Sequence, residues 1–207
     1  MAEARSVERN DKNVIIGNTS NFWRYSHDNG FDLTRQYDDQ ICRPISLQTT
    51  TTPILIDPNR SALVIIDMQN FFLHPTLRDH STGLSASNKL LEVAIPAARK
   101  AGIQIIWLNW GLTEEDVDHL PPALKRIFGR GLLNEPWYMK TSPKTIYKGF
   151  GTEMGTIVLP NSEHVDAGRL LMRDTWNAKL YDPLFDSYAS NQETKKPDQL
   201  FHKVIIL

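Results

Sequence analysis

Chemistry in this chain is most readily placed on Asp67. It closes the apolar run Ala62–Ile66 and precedes Met68, Gln69 and Asn70, within the stretch SALVIIDMQNFFLHP. A short run rich in β-branched residues reads as a buried strand with both faces covered, as in a parallel sheet. The C-terminal end of such a strand is where open α/β sheets place their chemistry. Burial and neighbouring charge there can move a carboxyl pKa in either direction, which suits a proton donor or acceptor. Position alone fits a cap for the following segment equally well.

Several elements must position that carboxylate. A helix is predicted over 85–101, with Ser85 or Ser87 as N-cap and Leu90, Leu91, Ala94, Ile95 and Ala98 as its apolar stripe. Pro96 should bend it and Gly102 should end it. The apolar run 103–108 then gives a second buried strand, closing a right-handed βαβ unit. Asn109 and Trp110 follow that strand and come to lie beside Asp67 if the two strands are parallel neighbours. Trp110 is therefore a candidate pocket wall, with ordinary core packing as the competing role.

Further along, Thr113 opens the acidic start of a helix, and 123–128 suits another short one. No regular structure is assigned to 129–155, a strand is expected at 156–159, and helical and extended patterns compete over 166–188. Ahead of the organising strand, 1–13 reads as polar and disordered. Short strands are expected at 14–17 and 54–56, an apolar patch at 22–25, and a turn at Asp28-Asn29-Gly30. The division expected is a β extension over 1–57 and an α/β domain over 58–207.

Composition narrows the function classes. Twenty-three basic residues against 24 acidic ones leave a net charge of −1, so neither a phosphate backbone nor an anionic membrane is an expected partner. The apolar runs are too short to span a bilayer, and the N-terminus lacks a signal-peptide core. A single cysteine, Cys42, allows no internal disulfide. The expectation is a soluble cytoplasmic protein acting on a small molecule.

The strand followed by Asp67-Met68-Gln69-Asn70-Phe71-Phe72 resembles the opening motif of the isochorismatase-like cysteine hydrolases. Trp176-Asn177-Ala178, Lys196-Pro197-Asp198 and Lys203 resemble later landmarks of that family in the right order, so the likeness runs from about Pro58 to Lys203. It implies a Rossmann-like, doubly wound parallel sheet, seen here in part. It also implies catalytic roles for Asp67 and Lys203, with Gln69, Phe72 and Trp110 as candidate substrate contacts. In the family a cysteine thiolate attacks a carbonyl or nitrile carbon. The carboxylate takes and returns the thiol proton, and the ammonium steadies developing charge. Vinyl-ether-hydrolysing relatives dispense with the thiol and use the carboxyl as general acid. Four residues follow Lys203, ahead of where the family carries its cysteine, and Cys42 lies in a different chain position. The resemblance thus covers the N-terminal half of such a domain, and a partial site with little or no hydrolase activity is expected.

Other constellations are weaker. The histidines at 27, 74, 80, 119, 164 and 202 lack ligand spacing, and Asn109-Trp110-Gly111 stands where amidase relatives carry Asp-Trp-His. No metal or other cofactor is expected. Gly149-Phe150-Gly151 with Gly155 lacks the strand and helix that would make it a phosphate loop. Two rival functions remain. A haloacid-dehalogenase-type phosphatase also opens on a strand ending in Asp, but needs a second Asp where Gln69 stands. A non-catalytic module could instead recruit a partner strand, or a second copy, at an open sheet edge.

Overall fold

The structure, a computed structural model, describes residues 14–35, 43–78, 81–124, 139–142, 145–147 and 149–203. It is mixed α/β, with both parallel and antiparallel pairing. The chain divides into two compact units, one of Met1–Ala62 with Ala101–Ile103, the other of Leu63–Lys100 with Gln104–Leu207. Among the described residues no helix is long and apolar enough to cross a membrane.

The first unit is built on a five-stranded sheet of β1 (Val14–Gly17), β2 (Phe22–Ser26), β3 (Gly30–Asp32), β4 (Ile45–Leu47) and β5 (Ile54–Ile56), in the order β1-β2-β3-β5-β4. Pairing is antiparallel except between β3 and β5. Phe31 packs on Tyr25 at 4.8 Å and meets Trp23 edge-on at 6.1 Å. Alternate residues of a strand share a face, so these three rings form one aromatic surface. Asp57 Oδ1 then accepts from the Asn59 amide and caps the turn Pro58–Arg60.

The second unit opens with β6 (Ala62–Ile66, its first residue belonging to the first unit) and α1 (Asn70–Leu73). Next come α2 (Ser81–Lys89), a π turn at Leu90–Ala94, α3 (Ile95–Ala101) and β7 (Gln104–Trp110). The predicted helix is therefore present but broken in kind, and it begins at Ser81, so Ser85 and Ser87 lie inside α2 and neither is its N-cap. Pro96 has no amide hydrogen to give, and just before it the Ile95 amide reaches five residues back to Leu90 O. A π turn of this sort absorbs the misfit without ending the helix, which stops at Gly102 in the left-handed region (φ +73°).

After β7 come α4 (Glu114–His119), β8 (Met139–Ser142), β9 (Thr145–Tyr147), β10 (Thr156–Val158), β11 (His164–Asp166), α5 (Asp182–Ser190) and β12 (Gln199–Lys203). Strands β8 and β9, paired antiparallel, fall inside the stretch for which no regular structure was expected. The competing patterns over 166–188 resolve, after the end of β11 at Asp166, into a 3₁₀ turn at Trp176–Ala178 and α5.

Strands β12, β7 and β6 form a three-stranded sheet in that order, with β12 parallel to β7. The Asp67 amide donates to Leu108 O (3.0 Å), so the C-terminal ends of β6 and β7 lie side by side. On one face Ile65, Ile105, Trp107 and Asn109 are buried. Helices α3 and α5 meet on this side: Arg99 donates to Ser187 O and to Asp198, Trp107 Nε1 also donates to Asp198, and Tyr188 meets the Trp107 ring edge-on.

The other face departs from the expectation of a doubly covered central strand. Val64 is 46%, Ile66 52% and Phe201 50% exposed. Strand β6 lies at the edge of the sheet among the described residues. Its apolar run reads as buried in sequence because both alternating sets are apolar, but a single set is covered here.

Candidate functional site

Asp67, at the end of β6, has a left-handed backbone (φ +59°). This region costs most residues energy and is tolerated better by Asp and Asn. Non-glycine residues held this way cluster at functional sites. Met68 O accepts from the Tyr181 amide, and the Gln69 amide donates back to Asp67 O, so the turn is fixed on both sides.

Lys203, the last residue of β12, pairs with Trp110 in the parallel register. Its Nζ donates to Asp67 Oδ2 at 2.6 Å and lies 4.9 Å from the Trp110 ring centroid. Both partners are largely shielded from solvent, with side chains 21% and 28% exposed. A short charge-assisted bond and a cation–π contact therefore act on one ammonium. The second carboxylate oxygen, Asp67 Oδ1, is buried without a hydrogen-bond partner. The arrangement holds a partly exposed carboxyl beside a fixed positive charge, which suits taking or giving one proton.

Beneath the pair, Trp110 is 3% exposed and packs on Phe150 (5.0 Å) in an apolar cluster with Phe71, Leu112, Leu170 and Leu171. It is thus both a packing residue and the seat of the ammonium. Gln69 is fully enclosed, and its amide is committed to backbone: Nε2 donates to Trp110 O (2.7 Å) and Ala178 O (2.5 Å), and Oε1 accepts from the Trp110 amide (2.9 Å). It therefore ties the end of β7 to the 176–178 turn and does not face a solute. Phe72 is half-buried at the margin of the apolar cluster, edge-on to Phe71. Of the residues singled out in sequence, the structure brings Asp67, Lys203 and Trp110 together, Gln69 lies behind them, and Phe72 belongs to the packing.

Two further residues support the site. Asn177, buried, donates from Nδ2 to Ala167 O, Arg169 O and Thr175 Oγ1, and accepts from the Leu171 amide, pinning the whole 167–178 loop. Asp198 collects Arg99, Trp107 Nε1 and Asn191 Nδ2, anchoring the start of β12 and so the path to Lys203. Both lie in the sequence landmarks 176–178 and 196–198, although nothing in their spacing disclosed these bonds. Gly111, noted in sequence only as standing where amidase relatives carry a histidine, lies against the His202 ring, where a Cβ would collide with Nδ1. Burial holds the His202 imidazole below its usual range, with Arg173 acting in the same sense and Asp174 and the Trp110 backbone opposing.

Among the described residues no group of three or more His, Cys, Asp or Glu side chains could hold a metal ion. Cys42 lies outside the described residues. No model of a known protein family matches the chain. Fold and site therefore define an α/β protein with a partly buried carboxylate–ammonium pair at the C-terminal end of a partly parallel sheet.

Proposed function

We propose that Asp67 and Lys203 are the proton-transfer and charge-stabilising residues of an isochorismatase-like hydrolytic site for a small amide, nitrile or vinyl ether. The observation that carries this reading is the 2.6 Å Asp67–Lys203 bond, made between two strand ends that are remote in sequence. The resemblance assigns catalytic roles to these same two positions. The Asp67 carboxyl, whose side chain is 28% exposed, exchanges the proton, and Lys203 holds the carboxylate and steadies negative charge on substrate.

Amide and nitrile routes need a nucleophile in addition. No thiol accompanies the pair among the described residues, since the single cysteine is Cys42, so this pair alone is expected to turn such substrates over poorly. A vinyl ether asks less of it. Protonated Asp67 delivers its proton to the alkene carbon, water adds to the resulting oxocarbenium ion, and the hemiketal collapses to ketone and alcohol, returning a proton to Asp67.

The test is incubation of the purified chain with isochorismate and a panel of small amides and nitriles, beside Asp67→Ala and Lys203→Met. Vinyl-ether cleavage lost in both variants supports the reading, and cleavage untouched by Asp67→Ala ends it. A second reading, a non-catalytic binding or dimerising module, is favoured by the exposed apolar face of β6 and β12; isochorismate inertness together with concentration-dependent self-association would favour it.

A further inference from the structure

Strand alternation gives the end of the three-stranded sheet two separate surfaces. Trp110 and Lys203 pair in register and project together beside Asp67, whereas their predecessors Asn109 and His202 also pair and project to the opposite face. On that opposite face lies a cavity of about 560 Å³, between β12, the 174–180 loop and α5. Its size is that of a small-molecule site.

We propose that this cavity binds a small organic cation, an amine or amidine carried on an aromatic or cyclic apolar body. Three observations point to it. Asn109, 1% exposed and among the most buried residues lining the cavity, has its Oδ1 without a hydrogen-bond partner. An enclosed amide oxygen left unmatched is costly, and an N–H donor relieves that cost. Next, the ionised lining is predominantly acidic: Asp174 and Asp182 stand against Lys179, while burial favours neutral His202. Arg173, close enough to His202 to act on it, is not part of the lining. Finally, the walls include Trp176 and Phe185, whose ring faces attract a desolvated cation. A carboxylate ligand would meet a lining of two carboxylates against one ammonium, and a neutral ligand would leave that excess negative charge unanswered. Asp174 itself is held at φ +66°, so its placement at the rim is set by the loop's backbone.

The pocket makes no use of Asp67 or Lys203, so its test is independent of the hydrolase reading. Binding of benzylamine and benzamidine to the full chain is measured by calorimetry, with benzyl alcohol, benzamide and benzoate as neutral and anionic comparators. The expected result is at least tenfold tighter binding of the cations, weakened at least tenfold in Asp174→Asn/Asp182→Asn, two exposed positions whose substitution spares the core. Asn109→Leu should weaken binding as well; if that variant fails to fold, the surface double variant decides. Equal or tighter binding of benzamide or benzoate, no binding of the cations at millimolar concentration, or cation binding indifferent to the double variant would each overturn the proposal.

Discussion

Lys203 Nζ lies 2.6 Å from Asp67 Oδ2 across 136 positions of sequence, with the Trp110 ring 4.9 Å from the same nitrogen. Neither charged residue is adjacent to the other's strand, since β7 runs between β6 and β12. The pair thus bridges the sheet over its middle strand, and the aromatic ring on that strand supplies the seat.

This bridging makes Lys203→Met a measurable change. The variant should lose about 1 kcal/mol, the sum expected for a partly shielded ion pair and one cation–π contact. Denaturant unfolding would register it as a lower midpoint at constant m-value. Asp67→Ala should not simply match that cost, because alanine suits the left-handed backbone less well than aspartate does. Asp67→Gly, which removes the same pair without that strain, should be the more stable of the two.

Replacing Gln69 tests the clamp beneath the pair. Gln69→Leu keeps the volume roughly but removes three bonds to backbone, and should cost about 1–3 kcal/mol. Hydrogen exchange should show the loss first at the Trp110 amide. Unchanged stability would mean that the enclosed amide contributes nothing net.

Gly111→Ala should be destabilising by about 1–3 kcal/mol through overpacking against His202. Adding His202→Ala should recover much of that loss, since it removes the atoms that clash. A double-mutant cycle of unfolding free energies checks both statements; additive effects would show that the two residues do not meet.

Stability should fall on mild acidification. His74 and His202 are both held below the ordinary histidine value of 6.5, in each case chiefly by burial. The unfolded chain then binds protons that the folded one resists, so stability is complete above about pH 6.5 and drains away as pH falls toward the lower folded values. Asp182 beside His74 and Asp174 beside His202 soften the effect. Unfolding midpoints between pH 7.5 and 5.5 should decline, and more shallowly in His202→Asn.

The exposed apolar residues of the open sheet face should bind a hydrophobic dye. Val64→Thr and Ile66→Thr should reduce that binding while changing stability by roughly 0.5 kcal/mol or less, as expected for positions this open. A larger loss would mean that this face is covered in solution.

The sequence by itself determined the local pieces of this protein. Two apolar runs flank an amphipathic helical stretch, a polar break follows each run, and Asp67 falls at the first of them; these are matters of short-range pattern and backbone preference, although the helix begins at Ser81 and not at the cap expected at Ser85 or Ser87. Thr113 likewise announced its helix, and its hydroxyl and the Asp116 carboxylate satisfy each other's backbone amides. What only the tertiary structure decided is which pieces face each other. A lone lysine near the end of the chain becomes a fixed partner of Asp67 because β12 pairs parallel with β7 at the register Lys203–Trp110. Gln69 reads as a pocket residue in sequence and proves to be a backbone clamp, since its partners are carbonyls and an amide that carry no side-chain signature. The apolar run of β6 could not say how many of its faces are covered, because an alternating signal is absent when both sets of side chains are apolar. Coverage is a property of neighbouring elements, and those are set by long-range packing.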